Sequence, residues 1–402
     1  MTDPTLPQPP EQSGGPAIED EGPEAVVAGH ICLDVIPTLT GSAIDFVPGK
    51  LVEAGGVTTA TGGVVSNTGL ALHRLGVRTG LIGKVGDDLF GDAVLKILSG
   101  VDARLVEGMV VSPSEATSYS IILSPPGADR MFIHAPGCNA TFDEHDIPAG
   151  SLDSPRLFHF GYPPLMARTY RNGGASLEAI FRNAKAAGIT TSLDMSMPDM
   201  AGPAGRVDWR ALLQRVLPFV DIFLPSLDEL RIMLPGACED SLGARLPRCL
   251  AAEVLDMGGK AVVIKAGHRG LYLRTAPGSV LAKMGRAAPD DLGPWSEREL
   301  WAPCFSVGVV GTTGSGDATI AGFLMGLLRG MTPERAMTAA CAVGACSVEA
   351  ADAAGGIRAW PETAARIDAG WPRLPVDLDL DGWRRDDRNA VWRGPADRAA
   401  QL

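Results

Sequence analysis

The chain has 402 residues, of which 46% are apolar and 20% are charged, and its formal net charge is −12. This composition is globular and excludes a wholly disordered, collagen-like or coiled-coil protein. The acidic charge disfavours a nucleic-acid partner and an anionic membrane surface, because both repel an acidic protein. No run approaches 18 apolar residues, so no membrane-spanning helix is predicted.

The first 24 residues differ from the rest of the chain. Residues 1–24 are rich in Pro, Gly and Glu and show no hydrophobic periodicity. They contain six acidic residues and no Lys or Arg, which is half of the net charge. They also lack the basic and apolar regions of a signal peptide. We therefore expect a disordered leader, with folded structure beginning at Ala25.

The cysteines and histidines give no sign of a metal site. The seven cysteines contain no C-x-x-C pair, and the six histidines show no ligand spacing such as H-E-x-x-H. An odd number of cysteines argues against a disulfide framework. A reduced, cytoplasmic protein without a structural metal is expected.

From Ala25 onward, strand-like and helix-like runs alternate. The strand-like runs include AVVAGHICLDV, RLFHFG, TTSLDMS, DIFLPS and AVVIKAG, and the helix-like runs include SNTGLALHRLG, SLEAIFRNAKAAG, WRALLQRVL and RCLAAEVLDMG. Repeated strand–helix–strand units predict an α/β fold with a doubly wound, mostly parallel sheet flanked by helices. In such sheets ligands bind at the carboxyl ends of the strands.

Two segments interrupt this alternation. Residues 35–61 have no helical period, and residues 115–135 read as a hairpin, with TSYSIILS and RMFIHA on either side of PPGAD. We expect both segments to form a small β-layer outside the main sheet. A layer of this kind covers a cleft at the strand ends and can act as a lid.

The last third of the chain is predicted to be helical after Asp317, and Thr332 and Pro333 are typical of a helix start. Residues 371–402 contain six acidic residues, six basic residues and three tryptophans. We interpret this segment as a tail that packs against the protein, and we place the single large domain at residues 25–370.

The strongest local motif is GVVGTTGSGDATIAGFLMGLL, from Gly308 to Leu328. It predicts a glycine-rich turn that opens a helix, with free backbone N–H groups at Gly314, Ser315 and Gly316. These groups and the helix dipole form a ready anion site. The motif is neither a Walker A loop nor G-x-G-x-x-G, and a tight turn without any ligand is the alternative.

Asp317 lies in the first turn of the same helix. One interpretation is a carboxylate that only stabilises the helix dipole, by about 0.3 to 1 kcal/mol. The other is a general base that accepts the proton of a hydroxyl attacking a phosphoryl group. The residue alone does not distinguish these two interpretations.

A second motif runs from Thr61 to Asp92. The Gly62–Gly63 pair precedes a predicted helix, where bare backbone can meet a ligand, and Asn67 follows in the first turn with an amide suited to hydroxyls. Asp34, near the end of the first strand, offers a carboxylate for neighbouring hydroxyls. A purely structural βαβ unit is the alternative.

Together these residues resemble the PfkB (ribokinase-like) family of carbohydrate kinases. The pattern GG-x-x-x-N with a later RLG, then G-x-V-G-x-D-x-x-G, and finally G-[AS]-G-D at a helix start matches both family signatures in order. The resemblance spans about Ala25 to Gly370. Further marks are RMFIHAPGCN at 130–139, LDMS at 193–196, LPSLDEL at 224–230 and KAGHRG at 265–270.

The resemblance implies a doubly wound core with a β lid, and transfer of the γ-phosphoryl group of ATP to a hydroxymethyl of a sugar or nucleoside. It implies Asp317 as the base, with Gly314, Ser315 and Gly316 as the anion hole. The implied substrate-binding residues are Asp34, Gly62, Gly63, Asn67, Arg130 and Asn139. The implied nucleotide-side residues are Ser226, Glu229, Lys265, Gly267, Gly270 and Thr312. Glu229 would organise Mg²⁺ through water, and the lid would form a homodimer.

Three positions depart from the family pattern. The family commonly reads D-T-x-G-A-G-D, and its first aspartate, a cation ligand in potassium-activated members, is Gly311 here. The asparagine of N-x-x-E is Ser226, which also forms a capping box, S-x-x-E, with Glu229. The asparagine two places before Asp34 in many ribokinase-type members is Cys32. A catalytically weak sugar- or nucleoside-binding regulator on the same fold is therefore the alternative function.

Overall fold

The computed structural model describes residues 22–39, 48–124, 131–236, 238 and 243–398. The predicted leader up to residue 21 and the predicted substrate contact Arg130 lie outside these ranges. The strands are β1 (Ala25–Gly29), β2 (Cys32–Pro37), β3 (Val57–Gly62), β4 (Thr79–Ile82), β5 (Lys84–Gly86), β6 (Val110–Ser112), β7 (Tyr119–Leu123), β8 (Met131–Ala135), β9 (Leu157–Gly161), β10 (Thr190–Leu193), β11 (Ile222–Phe223), β12 (Ala261–Lys265), β13 (Leu271–Thr275), β14 (Glu299–Ala302), β15 (Arg384–Asp386) and β16 (Val391–Arg393). The α-helices are α1 (Val64–Arg74), α2 (Leu89–Ser99), α3 (Ala167–Tyr170), α4 (Ala175–Ala186), α5 (Trp209–Val216), α6 (Leu227–Met233), α7 (Arg245–Asp256), α8 (Gly278–Leu281), α9 (Ser315–Leu328), α10 (Pro333–Ser347) and α11 (Trp360–Asp368).

The main sheet has ten strands in the order β15-β16-β14-β13-β12-β11-β10-β9-β1-β4. Neighbouring strands from β4 to β12 run parallel. The strands β13, β14, β16 and β15 continue the sheet as antiparallel neighbours. The chain order reverses at β1, which has β4 on one side and β9 on the other, and this is the switch point of a doubly wound sheet. The predicted fold class is confirmed.

Helices cover both faces of this sheet. Alternate residues of β1 enter different cores, with Ala25 and Val27 in the core that contains α1, α9 and α10, and Val26 and Ala28 in the core that contains α4, α5 and α7. Burial on both faces explains why the central strands read as continuous apolar runs rather than alternating ones. Along the described residues, no helix has both the length and the apolar character needed to cross a membrane.

The predicted β-layer is a separate four-stranded sheet in the order β3-β2-β7-β8. The hairpin of β7 and β8 is confirmed as an antiparallel pair. The run AVVAGHICLDV, however, is not one strand. It ends in the main sheet at Gly29, whose φ of 125° suits glycine, and resumes at Cys32 in the small sheet. Asp34 therefore lies within β2 of the lid, and not at the end of a main-sheet strand.

Both ends of the described chain are packed. Glu24, which the sequence places in the leader, is buried and pairs with Arg156 and Arg329 at 3.2 and 3.4 Å. At the other end, β16 pairs with β14, so the C-terminal segment continues the main sheet beyond residue 370. This segment therefore adds two edge strands to the main sheet.

The structure contains a disulfide that the cysteine count did not indicate. Cys238 and Cys249 are bonded, with their Cα atoms 6.0 Å apart, and the bond joins the segment after α6 to α7. The other five cysteines are free thiols. An odd number of cysteines excludes complete pairing but does not exclude a single bond, which is why the expectation was wrong at this pair.

Candidate active site

A cavity of about 930 Å³ opens at the carboxyl ends of the parallel strands. The residues that follow or end four of these strands line it: Tyr162 after β9, Asp194 after β10, Ser226 after β11 and Lys265 at the end of β12. The start of α9 and Phe132 of the lid close it further. The cavity lies where a doubly wound sheet is expected to bind ligands.

The start of α9 is shaped to receive an anion. Gly314, its N-cap, has a left-handed φ of 70°, and a side chain there would collide with Ala353, so glycine is required. The first N–H groups of a helix have no acceptor within the helix. At Gly316, an added Cβ would meet nothing nearer than the Lys265 side chain at 3.8 Å. The backbone at Gly316 is therefore open to the cavity.

Asp317 is 3% exposed and accepts three side-chain hydrogen bonds from outside its own helix. Asn67 and Thr68 of α1 donate at 3.1 Å each, and the Tyr162 hydroxyl donates at 2.7 Å. Burial raises the pKa of Asp317, while Tyr162, Lys265, Asn67 and Thr68 oppose that rise. Hydrogen bonds from α1 and Tyr162 thus fix the carboxylate beside the anion cradle. A carboxylate that only stabilised the helix dipole would not require these bonds.

A buried ion pair stands across the cradle from Asp317. Lys265 Nζ lies 2.6 Å from Asp194 Oδ1. Burial raises the pKa of Asp194, and so do Glu229 and Asp317, while the Lys265 ammonium opposes this rise. Burial works against the charge of Lys265, but Asp194, Glu229 and Asp317 together raise its pKa. Three carboxylates therefore favour the charged form of one ammonium group in this part of the cavity.

Glu229 and Ser226 form the capping box that their spacing predicts. The Ser226 hydroxyl accepts from the Glu229 N–H at 3.2 Å, and the Glu229 carboxylate accepts from the Ser226 N–H at 2.6 Å. Both residues, with Asp228 between them, also line the cavity. Carboxylate oxygens are the ligands that Mg²⁺ prefers, so Asp228 and Glu229 on the cavity wall could hold a hydrated magnesium ion through water.

The backbone conformation of the turn between β12 and β13 accounts for its two glycines. Gly267 and Gly270 have positive φ values of 58° and 111°, and a side chain at Gly270 would collide with the Ala302 carbonyl. Gly267 lines the cavity, as do His268 and Arg269. Thr312 is exposed, and its carbonyl accepts a hydrogen bond from the Ser315 hydroxyl at 2.9 Å.

A second group of polar residues lies where the lid meets α1. The Asp34 carboxylate lies against the bare backbone of Gly62, and Gly63, with φ of 86°, lies against His30. Burial raises the pKa of Asp34 to about 6, although hydrogen bonds from Cys32 and Ser120 oppose it. The Cys32 thiol donates to Asp34 at 3.3 Å. Gly62, which was predicted here, has no side chain and so leaves space for the Asp34 carboxylate.

Two histidines complete this group. The Nε2 atoms of His30 and His134 are 3.4 Å apart, and His134 Nδ1 lies 3.0 Å from the Ser120 hydroxyl. Burial lowers the pKa of His30 to about 3, and burial also lowers that of His134. Both rings are therefore neutral at pH 7 and can donate and accept hydrogen bonds. Tyr162, which binds Asp317, lies next to His30, with ring centroids 6.1 Å apart.

Ser315, Gly270 and Thr312 do not line the cavity, and the Ser315 N–H, which was predicted to be free, donates to the Thr312 carbonyl at 3.3 Å. The other predicted site residues that the structure describes fall into three groups. Those that line the cavity are Gly314, Gly316, Asp317, Ser226, Glu229, Lys265 and Gly267. Those at the junction of the lid and α1 are Asp34, Gly62, Gly63 and Asn67. Asn139 is fully buried and holds the Ile31 backbone, with its Nδ2 donating at 2.7 Å, so its amide positions the chain between β1 and β2.

Sequence reasoning did not assign site roles to Asp194, Thr68, His30 and His134. Position relative to the strand ends was the available signal for two of them, because His30 and Asp194 directly follow β1 and β10. The side-chain partners of these residues come from distant parts of the chain, which a single sequence does not reveal.

The site combines an anion cradle with a buried carboxylate, two groups that phosphoryl transfer to an alcohol requires. A sequence model of the pfkB family carbohydrate kinase matches residues 23–360. The chain therefore belongs to the pfkB family of carbohydrate kinases. It is a sugar kinase, a phosphotransferase with an alcohol group as acceptor.

Individual relatives agree with this assignment. Fructokinase-2 of Oryza sativa subsp. japonica is 26% identical over 326 residues, which cover 79% of this chain and 83% of that protein. The structure of Arabidopsis thaliana ribokinase complexed with ribose and ATP has a TM-score of 0.66 at 19% identity, covering 86% of this chain and 98% of that one. A putative ribokinase II from E. coli in complex with ATP and Mg²⁺ has a TM-score of 0.65 at 22% identity, covering 86% and 99%. These two structures are similar to this chain in fold.

Proposed function

We propose that the protein transfers the γ-phosphoryl group of ATP to a hydroxymethyl group of a sugar, with Asp317 as the general base. The observation that carries this proposal is the buried Asp317 carboxylate beside the open backbone of Gly316, at the start of one helix. A base for the acceptor hydroxyl and a cradle for the phosphoryl group are thereby placed within one helical turn.

In the proposed reaction the acceptor hydroxyl gives its proton to the Asp317 carboxylate. The hydroxyl oxygen forms a bond to the γ-phosphorus, and the bond from that phosphorus to the bridging oxygen of ADP breaks. The backbone N–H groups at Gly316 and Asp317 hold the phosphoryl oxygens, aided by the helix dipole. Burial raises the pKa of Asp317, which makes this carboxylate a better proton acceptor than an exposed aspartate.

The acceptor side is assigned to the junction of the lid and α1. Asp34 can accept hydrogen bonds from neighbouring sugar hydroxyls, and the bare backbone of Gly62 and Gly63 leaves room for a ring. Neutral His30 and His134 can donate or accept as the acceptor requires. The Asn67 amide donates a hydrogen bond to the Asp317 carboxylate, so we assign Asn67 to positioning the base.

The nucleotide side is assigned to the cavity wall formed by α6 and the turn after β12. Magnesium, when bound with ATP, supplies positive charge to the phosphate oxygens. Glu229, with Asp228, would hold it through water. Because ATP is an anion, the guanidinium of Arg269 and the imidazole of His268, both at the mouth of the cavity, can donate hydrogen bonds to its outer phosphates.

We also propose a cytoplasmic location, because five of the cysteines are free thiols and the cytosol keeps thiols reduced.

A coupled assay of ADP release with a panel of sugars and nucleosides tests this function. Fructose is the first acceptor to try, because the curated relatives are named fructokinases. Turnover that depends on one acceptor supports the kinase. Binding of a sugar or nucleoside in a thermal-shift experiment, without any turnover, would favour the regulator instead.

Gly311 leads to a prediction about monovalent cations. The Val310 and Gly311 N–H groups both donate to the Val348 carbonyl, at 2.8 and 3.2 Å, so the loop is held by its own backbone. A Cβ at Gly311 would lie 2.9 Å from the Ala350 carbonyl oxygen. The neutral oxygens near this position compensate poorly for the missing carboxylate when a cation loses its water.

We therefore expect kcat/KM to change less than about twofold when potassium is exchanged for sodium or for a bulky organic cation. The measurement requires matched ionic strength, so that screening stays constant. A tenfold activation by potassium would show that this interpretation of Gly311 is wrong.

The lid leads to a prediction about assembly. Strand β8 is an edge of the small sheet, and its consecutive residues Met131, Phe132 and Ile133 are 51%, 54% and 48% exposed. An apolar edge strand tends to pair with another chain, so we expect a two-fold dimer through the lid at micromolar concentration. Sedimentation should show a dimer for the wild type and a monomer for Ile133→Lys. A monomeric wild type would contradict the prediction.

A further inference from the structure

Two lysines, with side chains 8% and 13% exposed, lie at opposite ends of the same strand, and each pairs with a buried aspartate. Lys260, just before β12, lies 2.8 Å from Asp221 Oδ1. Lys265, the last residue of β12, lies 2.6 Å from Asp194 Oδ1. Ion pairs of this kind seldom stabilise a protein more than apolar residues of similar volume would. The place of each pair in the fold therefore indicates its role.

Only the pair at the carboxyl end of β12 faces the cavity. Lys265 and Asp194 both line it, whereas Lys260 and Asp221 do not. Asp221 also binds a second ammonium, that of Lys185, at 2.7 Å. The pair at the amino end is thus a closed structural cluster, and the pair at the carboxyl end is open to a ligand.

The Lys265 ammonium lies at the anion cradle. Its Nζ, Cδ and Cε atoms are 3.8 to 3.9 Å from the point where a Cβ of Gly316 would stand. The N–H groups of the first turn of α9 and the ammonium therefore approach the same space from two sides. An ammonium has three N–H donors, and the hydrogen bond to Asp194 uses one of them.

The surrounding charges keep this lysine protonated. Asp194, Glu229 and Asp317 all act on Lys265 and raise its pKa, against the effect of burial. Asp194 also fixes the direction of the side chain, since it is 1% exposed and directly follows β10. The result is a positioned positive charge on a side chain that is only 13% exposed, where it acts more strongly than in bulk solvent.

We propose that Lys265, held in place by Asp194, binds the phosphoryl group that is transferred and neutralises its charge before and during the transfer. This inference rests on the proposed kinase function. Phosphoryl transfer depends mainly on positioning and on stabilisation of charge over the phosphoryl oxygens. Lys265 would then be a catalytic residue, and Asp194 a positioning residue that acts through it.

Lys265→Met and Lys260→Met form a matched pair of variants, because each removes one buried ammonium from one end of β12. We expect Lys265→Met to lower kcat by on the order of 100-fold to 1,000-fold, the usual cost of removing one preorganised donor to the developing charge. Lys260→Met should lower thermal stability and leave kcat of the folded protein within a few fold. Lys265→Arg, which keeps the charge, should recover at least tenfold of the lost kcat.

Equal losses of kcat in the two methionine variants would overturn the proposal, because the lysine would then act only in folding. Failure of the arginine variant to exceed the methionine variant would overturn it as well. These comparisons use kcat per folded protein, with the folded fraction measured by circular dichroism.

A binding measurement separates this inference from the proposed function. Thermal shifts are compared for ADP and for the β,γ-imido analogue of ATP, which adds only the terminal phosphoryl group. The analogue should raise the melting temperature of the wild type and of Lys260→Met by more than ADP does. In Lys265→Met this additional increment should be lost. If no sugar or nucleoside is phosphorylated, the proposed function fails, but the increment still decides the role of Lys265. An equal increment in Lys265→Met and the wild type, including none in either, would overturn the inference.

Discussion

Asp317→Asn is expected to lower kcat by about 100-fold to 10,000-fold, which is the usual contribution of a positioned general base. The asparagine has nearly the same shape, and its amide oxygen can still accept hydrogen bonds from Asn67 and Tyr162. The fold and the binding of ATP should therefore remain, and only the proton acceptor is lost. The measurement is kcat in the coupled assay, together with the thermal shift produced by ATP.

Asp92→Asn is the control for this variant. Asp92 is an exposed carboxylate in the first turn of α2, so it has the same relation to a helix dipole as Asp317 but no place in the cavity. Its turnover should stay within about twofold of the wild type, since a dipole contribution is at most about 1 kcal/mol of stability. Turnover of Asp317→Asn close to that of the wild type would remove Asp317 from its proposed role.

The pH profile gives a second measure of the same base. The proposed mechanism needs Asp317 ionised, so kcat/KM falls as the pH drops through its pKa. Burial raises that pKa above the ordinary value for aspartate. The acid limb of the profile should therefore lie above the range of an exposed aspartate, and Asp317→Asn should lose this limb.

The parts of the site that depend on local sequence were predictable. The cradle at Gly314 to Gly316 and the carboxylate of Asp317 lie within four residues at a helix start, where glycine spacing and helix geometry are sufficient to indicate an anion site. The Ser226–Glu229 capping box is equally local. The alternating strands and helices likewise predicted the parallel part of the sheet, because each unit requires only its own hydrophobic pattern.

The partners of Asp317 were not predictable in this way. Tyr162 and Asn67 are 155 and 250 residues away from it in the chain, and they meet it only because β9, α1 and α9 converge at the carboxyl ends of the strands. The side chain of Asn67 was expected to face a substrate, and its amide nitrogen also donates to the Asp317 carboxylate. The Asp194–Lys265 pair is similar, because it joins the ends of two strands that do not adjoin each other.

The C-terminal strands escaped the hydrophobic pattern for a different reason. β15 and β16 have three residues each, which is too short for a period of two to be recognised. The main-sheet partner of β16 is β14, which lies about 90 residues earlier in the chain, where no local signal refers to either C-terminal strand. A buried charge near its end, at Asp397, also holds this segment, and this charge leads to the second large expected effect.

Asp397 anchors the C-terminal segment to the body of the protein. It is fully buried, and both of its carboxylate oxygens lie 3.2 Å from Arg298 Nε. Arg298 also binds Glu334 of α10 at 2.5 Å and the Pro294 carbonyl at 2.6 Å. The guanidinium is 5% exposed, so it depends on two carboxylates for its charge.

Asp397→Ala is expected to lower the free energy of unfolding by about 3 to 5 kcal/mol, the usual cost of removing one partner from a buried ion pair. The loss is large because Arg298 keeps its charge and stays buried with Glu334 alone. Urea unfolding measures it as a lower midpoint. The folded fraction should retain the kcat of the wild type, because neither Asp397 nor Arg298 lines the cavity.

Asp387→Ala is the matched control, because this carboxylate belongs to the same segment and pairs with Arg385 while being 84% exposed. An exposed pair contributes about 0 to 1 kcal/mol, so its removal should move the midpoint little. If Asp397→Ala does not fold, Asp397→Asn is the substitute, because it retains the shape of the side chain and one acceptor oxygen. Its urea midpoint should be lower than that of Asp387→Ala and higher than that of a protein truncated after residue 370. Equal midpoints for Asp397→Asn and Asp387→Ala would show that the buried charge does not hold the segment in place.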